Sequence, residues 1–281
     1  MSSNTQALSR IRIARRVLAL AAVLTIAVGC AARQPGNAVP TLAEDAATLP
    51  LIERDHLLIS LQTPAIMDYS GPSGHIRARE QFIVRRPASL RIDVMSPLGV
   101  ALTVAADNQQ IAVFNPSNNT LIRGPANAAT LERFTRIPMT PAQAVQLMLA
   151  LAPDNYILSA APSVFRTEGE MRLLSYGRAG GSDYELGFSS GQLSLVRARD
   201  AAGQSTYEIH YDDYRDIGAM KFPFRLEATF FASRTAIKFR YLNPSVDREI
   251  ADSTFVLSPG PGTRLIELGF SAPSTAPASS G

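Results

Sequence analysis

The chain has 281 residues, of which 46% are hydrophobic and 18% charged, so it can bury one sizeable core. It carries 27 Lys and Arg against 24 Asp and Glu, and its single cysteine is Cys30. One cysteine excludes a disulfide within the chain, and it excludes thiolate zinc sites and cysteine nucleophiles elsewhere in the sequence.

Residues 1–29 have the pattern of a signal peptide. Four arginines precede an apolar run, VLALAAVLTIAV, that is too short to span a bilayer. Small residues then lead to Cys30. This order resembles a bacterial lipoprotein signal, in which cleavage precedes a cysteine that carries diacylglycerol and an acylated amine. We therefore expect Cys30 to be the lipid anchor. The alternatives are an ordinary secretory signal cleaved elsewhere and a buried core helix.

Processing changes the charge balance. Removing residues 1–29 takes away four of the 27 basic residues and no acid, which leaves 23 against 24 and a net charge of about −1. The mature chain therefore does not suggest a nucleic-acid partner. Ala31 follows the cysteine, where an aspartate signals inner-membrane retention in enterobacterial lipoproteins. The resemblance thus implies the outer membrane of a Gram-negative cell, with the protein on its periplasmic face.

The mature chain divides into three parts. Residues 30–48 are rich in Ala, Pro and Gly without a periodic apolar face, which predicts a flexible tether. Residues 49–269 fit one folded domain, and residues 270–281 predict a disordered tail. At the start of the domain, apolar residues at mostly helical spacings predict a short amphipathic helix ending before Pro64: Leu51, Ile52, Leu57, Leu58 and Leu61.

From residue 75 the hydrophobic period changes to two. In residues 75–86, Arg77, Arg79 and Gln81 predict one face of a strand, and the opposite face is apolar, with Ile76, Ala78, Phe82 and Val84. Such alternation between tight turns is typical of half-buried antiparallel strands. Further strands are predicted at residues 90–94, 100–105, 111–114, 171–176, 184–188, 192–199, 205–211, 222–231 and 235–241.

One helix interrupts these strands, at residues 140–152. Thr140 suits the N-cap, Pro141 the first helical position and Gln143 a capping box, and Pro153 ends the segment. The helix is apolar nearly all round, so it must be covered on more than one side. We expect it to lie in the hollow of a curved sheet.

Several segments now resemble one family. In order, residues 90–99 (LRIDVMSPLG), the strand pair to residue 114 and residues 136–153 are similar to outer-membrane lipoprotein receptors of the LolB type, within the LolA/LolB-like family. Residues 237–261 are similar to lipoprotein-sorting relatives. The resemblance implies a mainly β (α+β) fold: a curved antiparallel incomplete β-barrel, whose concave face is capped by helices and receives acyl chains.

The resemblance also implies a role for Leu98. In the receptors an exposed leucine in a Pro-Leu-Gly turn delivers cargo into the bilayer. Here Pro97 suits the second position of a β-turn and Gly99 the fourth, which leaves Leu98 at the tip. The alternative is a leucine that folds back on the core.

An apolar lining for acyl chains is expected on the sheet and the helix. A curled sheet with one apolar helix and no second sheet leaves room for a cavity, although ordinary core packing is the alternative for each side chain. The candidate lining residues are Phe82, Val84, Leu147, Met148, Leu151, Phe222, Phe224, Leu226, Phe230 and Phe239.

No pattern of catalytic residues is present in the sequence. Glu208, His210 and Asp212 would share one side of a strand and could hold a metal, but a solvated face is the simpler interpretation. We expect a monomer without enzymatic activity, cofactor or metal. Its partners would be acyl chains of lipoproteins or lipids, the outer membrane and a periplasmic carrier of the LolA type. The alternative is a structural or regulatory envelope lipoprotein that binds a protein partner, and a hydrolase is a more distant one.

Overall fold

The computed structural model describes residues 42–177 and 180–269, with side chains from residue 49 onward. The expected signal peptide, Cys30, the first part of the tether and the C-terminal tail lie outside these residues. All described residues belong to one compact unit, Ala38–Gly281, and so does the described hydrophobic core. A unit of this size buries enough apolar surface to fold by itself.

The described strands form one sheet of fifteen strands. Their bounds are β1 Ser60–Gly71, β2 Gly74–Arg85, β3 Ser89–Ser96, β4 Gly99–Ala106, β5 Gln110–Asn115, β6 Thr120–Pro125, β7 Val164–Glu168, β8 Met171–Tyr176, β9 Asp183–Ser189, β10 Gln192–Arg199, β11 Ser205–Ile217, β12 Met220–Phe230, β13 Thr235–Tyr241, β14 Ser245–Val246 and β15 Arg264–Glu267. The order is β15-β6-β5-β4-β3-β2-β1-β13-β12-β11-β10-β9-β8-β7, with β14 beside β1. β15 pairs with β6 in parallel, and the other pairs are antiparallel.

Three α-helices accompany the sheet: α1 Leu42–Leu57, α2 Ala128–Thr135 and α3 Pro141–Met148. Short 3₁₀ turns cover Pro116–Asn118, Asn155–Leu158 and Asp252–Phe255. None of the helices in the described part of the chain has the length and apolarity needed to cross a membrane.

The sheet is curved and open, as predicted. Leu102 on β4 and Ile209 on β11 lie far apart in the strand order, yet they line two adjoining cavities, one residue each. A flat sheet would separate them widely, so the sheet bends around the space between them. Its two ends, β7 and β15, do not pair with each other within the described residues. The incomplete antiparallel barrel with few helices is confirmed.

The strands predicted from the alternating pattern are confirmed. β8, β10 and β13 have the predicted bounds, and β11 extends beyond residue 211 to Ile217. On β12 the inward positions from Phe222 to Phe230 are buried and alternate with exposed Arg225 and Thr229. Period-two hydrophobicity therefore located this half of the sheet correctly.

The start of the domain differs from the prediction. The helix covers Leu42–Leu57 and therefore includes residues 42–48, which the sequence had assigned to the tether. Leu61 lies on β1, not on a helix. Pro64 is tolerated in this inner strand because β1 changes neighbours there, from β14 at Gln62 to β13 at Ala65, so no ladder bond needs its missing N–H.

Helix α3 begins as predicted and ends earlier. Thr140 is the N-cap and forms a capping box with Gln143. The helix ends at Met148 rather than at residue 152. The Ala150 N–H donates to the Leu147 carbonyl and the Leu151 N–H to that of Gln146, with Ala150 at φ +52°. These are the bonds of a Schellman motif, so local geometry ends the helix before Pro153.

Candidate functional site

The C-terminus of α3 is fixed inside the sheet by buried side chains. The Tyr211 hydroxyl donates to the Leu147 carbonyl at 2.8 Å, and the Tyr241 hydroxyl donates to the Met148 carbonyl at 3.2 Å. Arg54 on α1 donates to the Ala150 carbonyl at 3.1 Å. Carbonyls at a helix end lack donors within the helix. Here side chains from β11, β13 and α1 supply the hydrogen-bond donors.

An apolar cavity lies between α3, α2 and the concave face of the sheet. Its inner lobe has a volume of about 60 Å³, and every lining residue except Thr135 is apolar. Helix α2, which the sequence did not predict, contributes Leu131 and Thr135 to this wall. The inner lobe is therefore a narrow apolar space rather than a solidly filled core.

A larger outer lobe adjoins the inner one. Its volume is about 360 Å³, within the ~300–1,000 Å³ range of small-molecule pockets. The two lobes adjoin each other, since they share five wall residues, namely Ile92, Thr135, Ile137, Ile237 and Phe239. Both lie along the concave face.

Six of the ten predicted lining residues lie on the wall of the inner lobe: Phe82, Leu147, Met148, Leu226, Phe230 and Phe239. The other four do not line either lobe. Val84, Leu151 and Phe222 are fully buried in the core, and the Phe222 ring packs 5.9 Å from that of Tyr241. The Arg215 guanidinium lies over the Phe224 ring, with its Cζ 4.5 Å from the centre of that ring. These four serve as packing, the alternative interpretation of the pattern.

The mouth of the outer lobe lies at one end of the sheet. Tyr69 at the end of β1, Ser73 in the β1–β2 turn and Ile76 at the start of β2 all line it. The Ile76 side chain is 52% exposed. The cavity thus opens beside the β1–β2 turn.

Leu98 projects from the same end of the sheet. Ser96 and Gly99 are paired across the β3–β4 turn, so Pro97 and Leu98 form its tip. The Ser96 hydroxyl donates to the Gly99 carbonyl at 2.9 Å and accepts from the Leu98 N–H at 3.2 Å. The Leu98 side chain is 100% exposed. It does not fold back on the core.

Glu80 is a wall residue that the sequence interpretation missed. It lies on the wall of the outer lobe and is 3% exposed. Strict alternation along β2 places it on the face of Ala78 and Phe82, so the pattern contained the signal. Burial raises the pKa of Glu80 from 4.5 to about 7. An acid in this apolar cavity is its most unusual chemical feature.

The Glu208, His210 and Asp212 side chains are engaged in pairs on the outer face. Glu208 accepts from Arg197 at 2.6 Å and lies 2.6 Å from His210 Nε2, and Arg225 donates to Asp212 at 3.2 Å. Burial alone would raise the pKa of Glu208, but its bonds to Arg197 and His210 outweigh this effect, so the pKa is lowered overall. Among the residues described, no group of three or more His, Cys, Asp or Glu is placed to hold a metal.

Solved structures show what this fold is similar to. A LolA superfamily protein from Nitrosomonas europaea has a TM-score of 0.51 and 15% identity, covering 75% of this chain and 97% of its own. A DUF1329 family protein from Desulfovibrio piger has a TM-score of 0.53 and 9% identity, covering 75% and 96%. A domain named for outer-membrane lipoprotein sorting, from Vibrio parahaemolyticus, has a TM-score of 0.51 and 6% identity, covering 74% and 94%.

These likenesses concern the fold. No protein-family model matches the chain, and no curated protein is similar to it in sequence. The three structures agree with the predicted architecture, and the chain has a LolA-like fold.

Proposed function

We propose that this chain is a non-enzymatic envelope lipoprotein, anchored through Cys30 to the periplasmic face of the outer membrane. Its half-barrel cavity takes up the acyl chains of lipoproteins or lipids and serves lipoprotein localisation. A periplasmic carrier of the LolA type would supply the cargo. The proposal draws on the LolA-like fold, on the names of the Nitrosomonas and Vibrio structures and on the lipoprotein-like signal.

One observation carries the proposal: the apolar cavity opens at the end of the sheet from which Leu98 projects. The mouth is formed by Tyr69, Ser73 and Ile76, and Leu98 is fully exposed on a neighbouring turn. Met95 and Val100, which pair across that hairpin, are each 39% exposed. An acyl chain leaving the cavity at this end would meet an apolar surface, which favours contact with a bilayer.

The energetics suit reversible uptake. Each buried CH₂ group contributes about 0.8 kcal/mol, so a segment of about eight such groups would contribute about 6 kcal/mol. No covalent chemistry is needed for transfer in either direction. Leu98 entering lipid would add about 1.5–3 kcal/mol, which can orient a tethered protein but cannot anchor it.

Two measurements on the unit Ala38–Gly281 test the proposal. We expect native mass spectrometry to detect co-purified acyl material. We also expect methyl dodecanoate to displace the neutral fluorescent probe N-phenyl-1-naphthylamine, which is measured by fluorescence. Ala144→Phe should abolish both, because Ala144 lines the inner lobe.

Ala142→Phe is the matched control. Ala142 lies on the same helix and is also half-buried, but it lines neither lobe. Equal loss of binding in the two variants, or no bound acyl material in the parent protein, would refute the proposal. If the protein carried no acyl material and bound a protein partner instead, this would favour a structural or regulatory lipoprotein.

A further inference from the structure

Glu80 occupies a place where a carboxyl group needs a partner. Its neighbours along β2 on the same face are Ala78 and Phe82, and opposite it lie Ala65 on β1 and Val94 on β3. Glu80 is only 3% exposed. Buried polar atoms in folded proteins are nearly always hydrogen-bonded.

The protein itself does not supply that partner. Glu80 Oε2 is buried and makes no hydrogen bond with any described residue. Arg136 belongs to the same wall, but it is exposed and forms no ion pair with Glu80 in the described part of the chain. The carboxyl therefore faces the outer lobe with free acceptor capacity.

The hydroxyl groups of this wall are already satisfied. The Tyr69 and Ser73 hydroxyls bond to each other at 3.2 Å. The Thr135 hydroxyl donates to the Leu131 carbonyl at 2.8 Å and accepts from the Ile137 N–H at 3.2 Å. Glu80 is thus the buried polar group on the described wall that remains available to a ligand, whereas Arg136, the other charged residue of this wall, is exposed.

We propose that Glu80 selects the head group of the bound chain: the cavity takes acyl chains that carry a hydrogen-bond donor, an amide N–H or a hydroxyl, and rejects free fatty acids. This inference rests on the proposed acyl-chain function and specifies its ligand. A carboxylate only accepts hydrogen bonds, so a donor satisfies it. A fatty acid brings a second negative charge next to the buried Glu80 carboxylate, and like charges at short distance repel.

The experiment compares three probes with the same twelve-carbon chain. They are dodecanamide, methyl dodecanoate and dodecanoate, each displacing N-phenyl-1-naphthylamine from the unit Ala38–Gly281 at pH 8. Because the pKa of Glu80 is about 7, the carboxyl is mostly ionised at this pH. We expect dodecanamide to bind about tenfold more tightly than methyl dodecanoate, since a bond to a charged acceptor is worth about that ratio.

Two variants separate charge from shape. Glu80→Met should bring the amide-to-ester ratio to about one, because no acceptor remains. Glu80→Gln keeps the size and an acceptor oxygen but removes the charge, so dodecanoate should bind about tenfold more tightly than it binds the parent. Gln81→Met, on the adjacent half-buried position of the opposite face, should leave all three affinities unchanged.

The outcomes distinguish the two proposals. If all three probes bind but the ratios are the same in the parent and both Glu80 variants, head-group selection is wrong and acyl-chain binding stands. If no probe displaces the dye from the parent protein, acyl-chain binding itself fails. Circular dichroism of each variant verifies that the fold is retained, and a folded Glu80→Met that keeps the amide preference also overturns the inference.

Discussion

At the scale of single residues, Glu80 makes the stability of the free protein depend on pH. Its pKa is 4.5 ordinarily and about 7 in the fold, because burial disfavours the charged form. An acid whose pKa is raised by folding contributes stability below pH 4.5, and that contribution is lost as the pH rises through 7. Ligand-free protein should therefore weaken over this window.

Glu80→Gln should remove this pH dependence. At 1.36 kcal/mol per pKa unit, the change from 4.5 to 7 corresponds to about 3 kcal/mol. We expect the free energy of unfolding of the variant, relative to the parent, to rise by about that amount between pH 4 and pH 8. Urea titrations at several pH values measure it.

The matched control is Glu132→Gln, which removes the same charge from an exposed position on α2. The change with pH should be larger for Glu80→Gln than for this control, because Glu80 is buried. A difference between Glu80→Gln and the parent that does not change with pH would show that the Glu80 carboxyl is solvated in the free protein.

Leu98 is the second residue whose position makes a specific prediction. Leu98→Glu should leave the fold and the uptake of dodecanamide unchanged, because the side chain is fully exposed. Transfer of a fluorescent acyl amide from the loaded protein to phospholipid vesicles should slow by about tenfold or more, since the glutamate cannot gain the 1.5–3 kcal/mol of a leucine entering lipid. Energy transfer to a vesicle-bound acceptor measures the rate.

Leu57→Glu provides the comparison for this experiment. Leu57 is 63% exposed but lies at the end of α1, next to the start of β1 and not to the turn that forms the cavity mouth. It should transfer at the parent's rate. Unchanged transfer by Leu98→Glu would exclude the tip leucine from membrane delivery.

At the scale of elements, the position of α3 depends on two tyrosines that cap its last carbonyls. The Met148 carbonyl accepts from the Tyr241 hydroxyl and has no backbone donor within the described residues. The Leu147 carbonyl accepts from Tyr211 and also from the Ala150 N–H. The two bonds therefore differ in what their loss leaves behind.

Tyr241→Phe should destabilise the protein by about 1–3 kcal/mol, because it leaves the Met148 carbonyl buried without a partner. Tyr211→Phe should cost only about 0.5–1.5 kcal/mol, since the Leu147 carbonyl keeps a donor. Both substitutions keep the ring. Urea unfolding of the two variants measures the order, and a larger loss for Tyr211→Phe would contradict it.

The sequence predicted most of these elements, because the alternation of apolar and polar residues is strong where one sheet face is buried. The capping box at Thr140 was equally readable. The α1–β1 boundary was not, since Leu57, Leu58 and Leu61 follow a helical spacing across the end of the helix. The end of α3 was also missed, because a Schellman motif with Ala150 rather than glycine at its left-handed position leaves no clear signal.

The site was predictable only in part, for a physical reason. Alternation identifies the concave face but does not show which of its residues border empty space, so Phe230 on the cavity wall and Phe222 in the packed core look alike in sequence. That distinction depends on where α2 and α3 fill the hollow. Glu80 was missed because alternation assigns the face of a strand but does not show whether a single acid on that face is buried.

At the scale of the whole molecule, the sheet separates an apolar inside from a charged outside. On the outer face of the second half, Arg197 on β10 donates to Glu185 on β9 and Glu208 on β11, at 2.8 and 2.6 Å. Arg166 on β7 also contacts Glu185 at 2.7 Å. Because the charged side chains of this face are paired with one another, a lipid chain finds apolar surface at the cavity and its mouth.

The expected anchor then decides where this cavity works. In the full chain, Cys30→Ser removes the thiol that would carry diacylglycerol, and with it the chains whose buried CH₂ groups each contribute about 0.8 kcal/mol to membrane attachment. In a Gram-negative host given labelled palmitate, we expect the parent to be labelled and to fractionate with the outer membrane, and Cys30→Ser to be unlabelled and released from it. The purified full-length Cys30→Ser variant should still bind dodecanamide, because the cavity lies wholly within Ala38–Gly281. An unlabelled parent protein would remove the anchor from the proposed function and leave the cavity untouched.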